Sequence, residues 1–593
     1  MADGPDGKIL GIELHGVGVC PGVAIGPAFP LLTDEDRVVE REIKAEEVAR
    51  EVMRFEEALI TTRKQIHRIQ ERVRGAIGSE GASIFDAHLL VVDDRALVEE
   101  VTRGLSEQLR NVEAVLRDVA ERYAAALEAV KDDYLRERAA DIRDVTLRIL
   151  RNLSGQGTSR LDDLREPCIL VANDLPPSET AVLDRGLVLG FATDLGGETS
   201  HTAIMARALE IPAVVGLHDV SVRVSRGDQV LIDGNKGVLI INPTKEQLEH
   251  YGEVAKARQS LQAKLSTLRE EVATTRDAYS VLLSANIELP TDVEAVQRHG
   301  ARGVGLFRSE FLYLASEEMP SEDVQAGAYS DVARRLAPNP VVIRTLDLGG
   351  DKFQSHLKTP NELNPFLGWR AIRFCLAKPD IFKAQLRALL RASVYPNVKI
   401  MYPMISNANE VILANELLEE CKSELRQQGV PFNEDIEVGV TIEVPSAALT
   451  ADLIAPHVSF FSLGTNDLVQ YTLAVDRINE RIAHLYDPTH PAILKLIQHT
   501  VEVGHAHGLW VAVCGEMAGN PLMALLLIGM GVDELSVSPT LVPAVKDAIR
   551  SVHYFQVEDL AARCLKSTSG EATLDMCRDL LRKADPEILE FVE

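Results

Sequence analysis

The residues best suited to chemistry fall into two groups. The first is one histidine, His201, within residues 196–210, Gly-Gly-Glu-Thr-Ser-His-Thr-Ala-Ile-Met-Ala-Arg-Ala-Leu-Glu. An apolar run at 186–191 reads as a buried strand, and 194–197 make the turn that follows it. Thr199 or Ser200 can cap a helix whose apolar face is Ile204, Met205 and Leu209, with Pro212 just beyond its end. The first turn of a helix has unpaired N–H groups and a partial positive charge. A phosphoryl group on His201 would therefore sit where anions are stabilised. The same field disfavours imidazolium, which leaves the ring neutral and nucleophilic. Gly196 and Gly197 permit close approach of backbone or substrate.

The second group follows apolar runs in the C-terminal half. Arg308 and Glu310 close one run, and Arg344 lies in the next, leading into Asp347, Asp351 and Lys352. Glu443 ends a later run, Asn466 and Asp467 follow another, Arg477 lies on the next segment, and Cys514 and Glu516 follow a further run. Arg308, Arg344 and Arg477 offer planar forks for phosphate or carboxylate. Glu443 and Asp467 are hard oxygen ligands that suit Mg2+, or else salt-bridge partners of those arginines. Cys514 fits either a small buried core residue or a proton donor, and its spacing leaves both open.

The elements that must position these residues are eight apolar runs, at 280–287, 303–307, 341–346, 398–404, 437–443, 459–463, 509–513 and 534–537. Stretches of helical patterning separate them, which predicts a closed (β/α)8 TIM-type barrel over 277–593 with its active site at the strand ends. The N-terminal half has a different organisation. Short strands are predicted before residue 32 and again after Pro167, whereas 36–74, 84–92, 98–109 and 112–153 carry apolar residues at helical spacing. Residues 1–32 and 156–244 are thus expected to form one α/β domain interrupted by a helical domain at 33–155. A charged linker helix is expected at 245–276. The fold class is α/β and multidomain.

Composition narrows the function. The chain has 593 residues, too many for one core. Its 46% apolar and 25% charged content is that of a globular protein. A net charge of −27 argues against nucleic acid as a partner. Seven scattered cysteines without metal-ligand spacing point to a reducing compartment. No signal-peptide core or bilayer-length apolar run is evident, so a cytoplasmic protein without membrane insertion is expected.

Together these residues resemble enzyme I of the bacterial phosphoenolpyruvate:sugar phosphotransferase system. The resemblance covers nearly the whole chain. It rests on the segment around His201, on 347–352 (Asp-Leu-Gly-Gly-Asp-Lys) and on 364–370 (Asn-Pro-Phe-Leu-Gly-Trp-Arg). It rests also on 464–468 (Gly-Thr-Asn-Asp-Leu), 471–477 (Tyr-Thr-Leu-Ala-Val-Asp-Arg) and 514–519 (Cys-Gly-Glu-Met-Ala-Gly), all in the family's order. The resemblance implies that the barrel binds phosphoenolpyruvate and Mg2+ and that the phosphoryl group passes to Nε2 of His201, releasing pyruvate. The group would then pass to the histidine phosphocarrier protein, docked on the helical domain. Arg308, Arg344, Asn466, Asp467 and Arg477 would hold phosphoenolpyruvate, Glu443 and Asp467 would ligate Mg2+, and Cys514 would protonate the enolate. A homodimer joined through the barrel is also implied.

One position departs from the family, which often has arginine where this chain has Glu198; an acid there repels a phosphoryl group and raises the histidine pKa. Residues 79–90, including His88, and 132–144 lie where the family docks its partner, and read equally well as ordinary helix surface. The pyruvate phosphate dikinase and phosphoenolpyruvate synthase group shares the histidine and barrel domains but needs a nucleotide-binding domain, and no Gly-rich phosphate loop is evident. A regulatory phosphoprotein without turnover would have lost site residues, and here they are all present.

Overall fold

The computed structural model describes residues 11–20, 22–31, 40–128, 133–154, 164, 166–175, 186–197, 202, 203, 206, 211–314, 319–348, 364–477, 479 and 481–592. It forms two compact units, residues 1–255 and 256–593. The protein is an α/β multidomain chain, with a mixed sheet and helices in the first unit and a closed parallel barrel in the second. Among the described residues, no helix is long and apolar enough to cross a membrane.

In the first unit, strands β1 (Ile12–His15), β2 (Val17–Cys20) and β3 (Val23–Leu31) precede four helices, α1 (Val48–Val92), α2 (Arg95–Gln108), α3 (Val112–Glu128) and α4 (Asp133–Leu153). Strands β4 (Cys168–Ala172), β5 (Val188–Thr193), β6 (Ala213–Val215), β7 (Gln229–Asp233) and β8 (Val238–Ile241) follow. All eight strands share one sheet in the order β1-β8-β7-β3-β4-β5-β6-β2. β3 pairs in parallel with β4 across the helical segment, Ala28 opposite Ile169. Separate apolar clusters pack against the sheet, one around Leu170, Phe191 and Val215, another around Val171, Val214 and Ile232.

The helices have their own core around Phe55, Ile66, Phe85, Leu105, Val115 and Ile149. Asp94 caps α2 by accepting the N–H groups of Ala96 at 2.8 Å and Leu97 at 3.4 Å. Two expectations change here. The stretch predicted from 36 becomes α-helix only at Val48, after an irregular segment at 40–44 and a short 3-10 turn, and it runs on through the stretch predicted at 84–92 as one helix, α1, whose intervening glycines weaken but do not break it. His88 is not ordinary helix surface: it is 1% exposed, edge-on to Phe85, with Nε2 3.3 Å from Asp141. Its ring sits inside the helical domain between the Asp141 and Asp144 carboxylates, the latter 3.8 Å from Nδ1, and the Phe85 ring.

The chain enters the second unit within α5 (Lys245–Thr267). This helix stops short of the predicted 276. The buried ammonium of Lys546 explains the stop, donating to the carbonyls of Leu268 and Arg269 at 3.1 Å and of Gly300 at 2.9 Å. Beyond it Ala273 is buried and Thr274 bridges Ser280, which turns the chain back into the barrel.

The eight predicted runs become β9 (Leu282–Ile287), β10 (Val304–Arg308), β11 (Val341–Arg344), β12 (Val398–Tyr402), β13 (Val438–Ile442), β14 (Phe460–Leu463), β15 (Trp510–Val513) and β16 (Glu534–Val537). They are parallel and close on themselves through the β16–β9 pair. Side chains alternate across each strand. Leu283, Ala285, Ile287, Leu535 and Val537 pack outward into the barrel–helix layer, whereas Leu306, Val342, Met401, Phe460 and Cys514 form a distinct inner cluster.

Candidate active site

Arg308 and Arg344 end adjacent strands and face each other in register. Arg344 is buried and touches Glu310, and its Nη1 lies 2.8 Å from Asp347 Oδ2. Asp347 Oδ1 accepts from Nη2 of Arg370 at 2.7 Å, and the same Nη2 lies 3.8 Å from Asp467 Oδ2. Charges thus alternate from Glu310 through Arg344, Asp347 and Arg370 to Asp467. Burial alone would raise the Asp347 carboxyl, but Arg344 and Arg370 hold it below the usual carboxylate range. Arg308 is less enclosed and pairs with Glu288 at 2.5 Å.

Glu443 follows β13 and is 2% exposed, accepting the Met404 N–H at 2.6 Å. Burial, then Asp467 and Asp347, push its carboxyl up to about 8 against the opposing pull of Arg344. Asp467 lies in the first turn of α6 (Thr465–Leu473), and burial outweighs Arg370 to raise it as well. Gly464 is what lets the chain pass over this carboxylate, since a Cβ there would come within 2.5 Å of Glu443 Oε2. Two non-glycine residues beside the site adopt left-handed backbone, Met404 at φ 59° and Ala371 at φ 53°. Such strain is held by surrounding structure and concentrates at functional sites. Among the described residues, no cluster of three or more His, Cys, Asp or Glu side chains forms a metal cage. The Glu443–Asp467 pair instead offers the one or two carboxylates that Mg2+ uses alongside substrate oxygens.

The raised carboxyl has a consequence for stability. Protons bind the folded state more tightly than the unfolded one, so Glu443 lowers stability progressively as pH rises from 4.5 to about 8. In EDTA, calorimetric stability of the wild type relative to Glu443→Gln is expected to fall across that window, and Mg2+ to reduce the fall. A difference independent of pH would show that Glu443 ionises freely.

Cys514 follows β15 on the inner face, 6% exposed, with its thiol 3.7 Å from the Leu463 carbonyl. Burial pushes the thiol pKa up, opposed by Ser462. The amide of Asn286 donates to the Cys514 carbonyl at 3.1 Å. A cavity of about 760 Å³ opens here, lined by Asn286, Glu288, Arg308, Cys514 and Glu516. Asn466 and Glu516 hold each other, the Asn466 amide donating to Glu516 Oε1 at 3.0 Å and the Glu516 N–H to Asn466 Oδ1 at 2.9 Å. Arg477 joins them by donating to Glu516 at 3.2 Å.

The fold therefore gathers Arg308, Arg344, Glu443, Asn466, Asp467, Arg477 and Cys514 at one barrel end. His201 and Glu198 lie outside the described residues, as do 349–352. In the first unit the carboxylate of Asp194 is buried and accepts the Ser221 N–H at 3.0 Å, and the Thr202 hydroxyl donates to Leu175 O at 3.0 Å. The carboxylates Glu443 and Asp467 do not pair with Arg308, Arg344 or Arg477 as the salt-bridge alternative required; Arg308 takes Glu288, and Arg344 takes Glu310 and Asp347. Arg370 was not singled out from sequence as a site residue. It sits on the long connection after β11, where strand-end spacing gives no signal; the one available was its place in residues 364–370.

Comparison with known proteins matches three segments of the chain to family domains. Residues 262–554 match the PEP-utilising enzyme PEP-binding domain, 15–138 the PEP-utilising enzyme N-terminal domain and 164–237 the PEP-utilising enzyme mobile domain. The phosphoenolpyruvate-protein phosphotransferase of Priestia megaterium is 44% identical over 95% of this chain and 98% of its own length. That of Bacillus sp. (strain S) is 46% identical over 89% of this chain and 91% of its own. The NMR solution structure of Enzyme I (nEIt) is 41% identical, covering 42% of this chain and 99% of its own, at a TM-score of 0.36. Identity of this extent, sustained over nearly all of its residues, makes the chain a member of the phosphoenolpyruvate-protein phosphotransferase family.

Proposed function

We propose that this protein takes the phosphoryl group of phosphoenolpyruvate onto His201, releases pyruvate, and passes the group to a histidine phosphocarrier protein, the first step of a phosphotransferase system for sugar uptake. The observation that carries this reading is the barrel end itself. Guanidinium groups of Arg308, Arg344 and Arg477 stand there beside two carboxylates, Glu443 and Asp467, whose charge burial opposes. Phosphoenolpyruvate presents a phosphate and a carboxylate on one carbon, and needs both cationic and metal-assisted neutralisation.

Glu443 and Asp467 would hold Mg2+, which when bound supplies positive charge to the transferring phosphoryl group. Arg308 and Arg344, with Asn466, Asp467 and Arg477, would bind and orient the substrate anion. Phosphoryl transfer depends on such positioning and charge neutralisation more than on covalent machinery. Asp347 and Arg370 would brace Arg344 from behind, limiting its reorganisation as charge moves. Cys514 would give its proton to C3 of the enolate. Its raised pKa supports that role, since the thiol stays protonated until needed. Residues 1–32 and 156–244 would carry the phosphohistidine, 33–155 would dock the carrier protein, and 277–593 would supply a homodimer contact. His201 must then meet two sites in turn.

Intact mass after mixing the purified protein with phosphoenolpyruvate and Mg2+ tests this reading, with His201→Ala beside it. An acid-labile gain of one phosphoryl group is expected in the wild type and not in the variant. No gain with fresh substrate and metal would reject it.

A further inference from the structure

Behind the charged chain of the site lies a buried amide that the chemistry above does not use. Gln385 sits on the helix Pro379–Ala392 and is 1% exposed. The last ladder pair between β10 and β11 is Arg308 with Arg344. Past that pair one chain continues into Ser309 and Glu310, and the other runs through Thr345 and Leu346 to Asp347. Gln385 joins the two. The Leu346 N–H donates to its Oε1 at 2.9 Å, and its Nε2 donates to Ser309 Oγ at 2.9 Å. A backbone N–H can only donate, so the amide has one orientation: Oε1 toward Leu346 and Nε2 toward Ser309.

The amide is held from behind as well. Nε2 also donates to the Tyr329 hydroxyl at 3.2 Å, and Ser309 bonds that same hydroxyl. Tyr329 and Tyr313 in turn donate to Gln325 Oε1 at 3.3 Å and 3.1 Å, and Gln325 Nε2 donates to the Pro320 carbonyl at 3.0 Å. Gln325 and Tyr329 lie on the helix Glu322–Leu336, and all of these side chains are buried. A buried amide costs free energy unless it is bonded, and an apolar side chain would pack there without that cost. What a fully bonded amide adds over packing is a fixed spacing between the chains it joins.

That spacing matters because of what lies next to each contact. Ser309 stands between Arg308 and Glu310, and Leu346 immediately precedes Asp347. Glu310 and Asp347 are the two carboxylates that hold Arg344. One side chain therefore ties down the roots of both holders of the buried guanidinium, and of Arg308 beside it. We propose that Gln385 is a positioning residue for phosphoryl transfer, setting the separation of Glu310 and Asp347 and so the place of the Arg344 guanidinium against the substrate phosphate. The proposal rests on the reading of Arg344 as a ligand of phosphoenolpyruvate. Gln385 itself touches no reacting atom. Without the bridge the two strand ends can part, and a shift of ~1 Å at the guanidinium is enough to cost about a hundredfold in rate.

The test is rapid-quench labelling of His201 in the full chain with saturating phosphoenolpyruvate and Mg2+. It compares wild type with Gln385→Met, Ser309→Ala, Arg344→Lys and the double variant Gln385→Met with Arg344→Lys. Methionine keeps nearly the shape of glutamine without its hydrogen bonds, and alanine at 309 removes one arm of the bridge. The labelling rate constant should fall about a hundredfold in Gln385→Met and about tenfold in Ser309→Ala, with the final labelled fraction unchanged. In the double variant it should fall less than about threefold below Arg344→Lys alone, because that guanidinium is what Gln385 positions. Losses that multiply in the double variant would overturn the proposal. So would a lower labelled fraction at an unchanged rate constant, which is the signature of a residue that only supports the fold. A wild-type rate constant in Gln385→Met, or in Ser309→Ala where the first does not fold, would overturn it too. Failure of the wild type to label His201 would instead remove the underlying reading of the enzyme, and the proposal with it.

Discussion

Arg344→Ala is expected to slow phosphorylation of His201 by phosphoenolpyruvate about a thousandfold, the loss typical of removing a preorganised charge-stabilising group. The side chain is buried between Glu310 and Asp347, and both carboxylates, with Glu443, hold its proton on against burial. Removing it takes the ion-pair partner from Glu310 and leaves Asp347 with Arg370 alone among the ion pairs of the described residues. A folding penalty of about 3 kcal/mol is expected in addition, since stranding a buried charge costs more than the pair contributed. Arg344→Lys separates the two effects. It restores a positive charge, so stability should largely return. It lacks the planar fork that reaches Glu310, Asp347 and substrate together, so the rate should stay about a hundredfold low. Rapid-quench labelling and calorimetry on both variants give the two readings. A rate loss below tenfold in Arg344→Ala would show that the arginine serves the fold and not the substrate.

Much of this architecture is legible in the sequence because closed parallel barrels write a simple code. The strands are short and largely apolar on their outward faces, as at Val341 and Ile343, and several are closed or followed by a polar residue at the barrel end. The strand-end rule therefore located Arg308, Arg344, Glu443 and Cys514 directly. It does not reach a residue brought in by a long connection, which is why Arg370 passed unnoticed although it touches both Asp347 and Asp467. Nor does it separate an inward strand residue from an outward one at the base of the barrel: Glu534 looks like the polar start of a strand, and only the closed register puts it inside the barrel. The end of α5 was misread for a related reason. The helical spacing persists past Thr267, but a lysine far away in sequence, Lys546, claims the carbonyls that would have continued the helix.

Cys514→Ala is expected to lower pyruvate formation by a factor of about 10² to 10⁴, the range for loss of a positioned general acid. Phosphoenolpyruvate affinity should change little, because the thiol lies 3.7 Å from the Leu463 carbonyl and packs among Leu306, Val342, Met401 and Phe460. The substrate's charged groups belong to the arginines instead. Cys514→Ser sharpens the point. Serine fills nearly the same space and keeps a hydrogen on its terminal atom, but an alcohol is a far weaker acid than a thiol, so it should recover packing and not rate. The acid must also be present at neutral pH. Burial first, and Glu443 with it, push the thiol pKa up, so the donor form persists through the range where an exposed cysteine would begin to ionise. The pair Glu443 and Cys514 thus carry one buried field that works in both directions, favouring cation binding at the carboxylate and proton retention at sulfur. Binding calorimetry beside single-turnover pyruvate release distinguishes the roles. A variant that binds weakly but turns over normally once saturated would make Cys514 a packing residue.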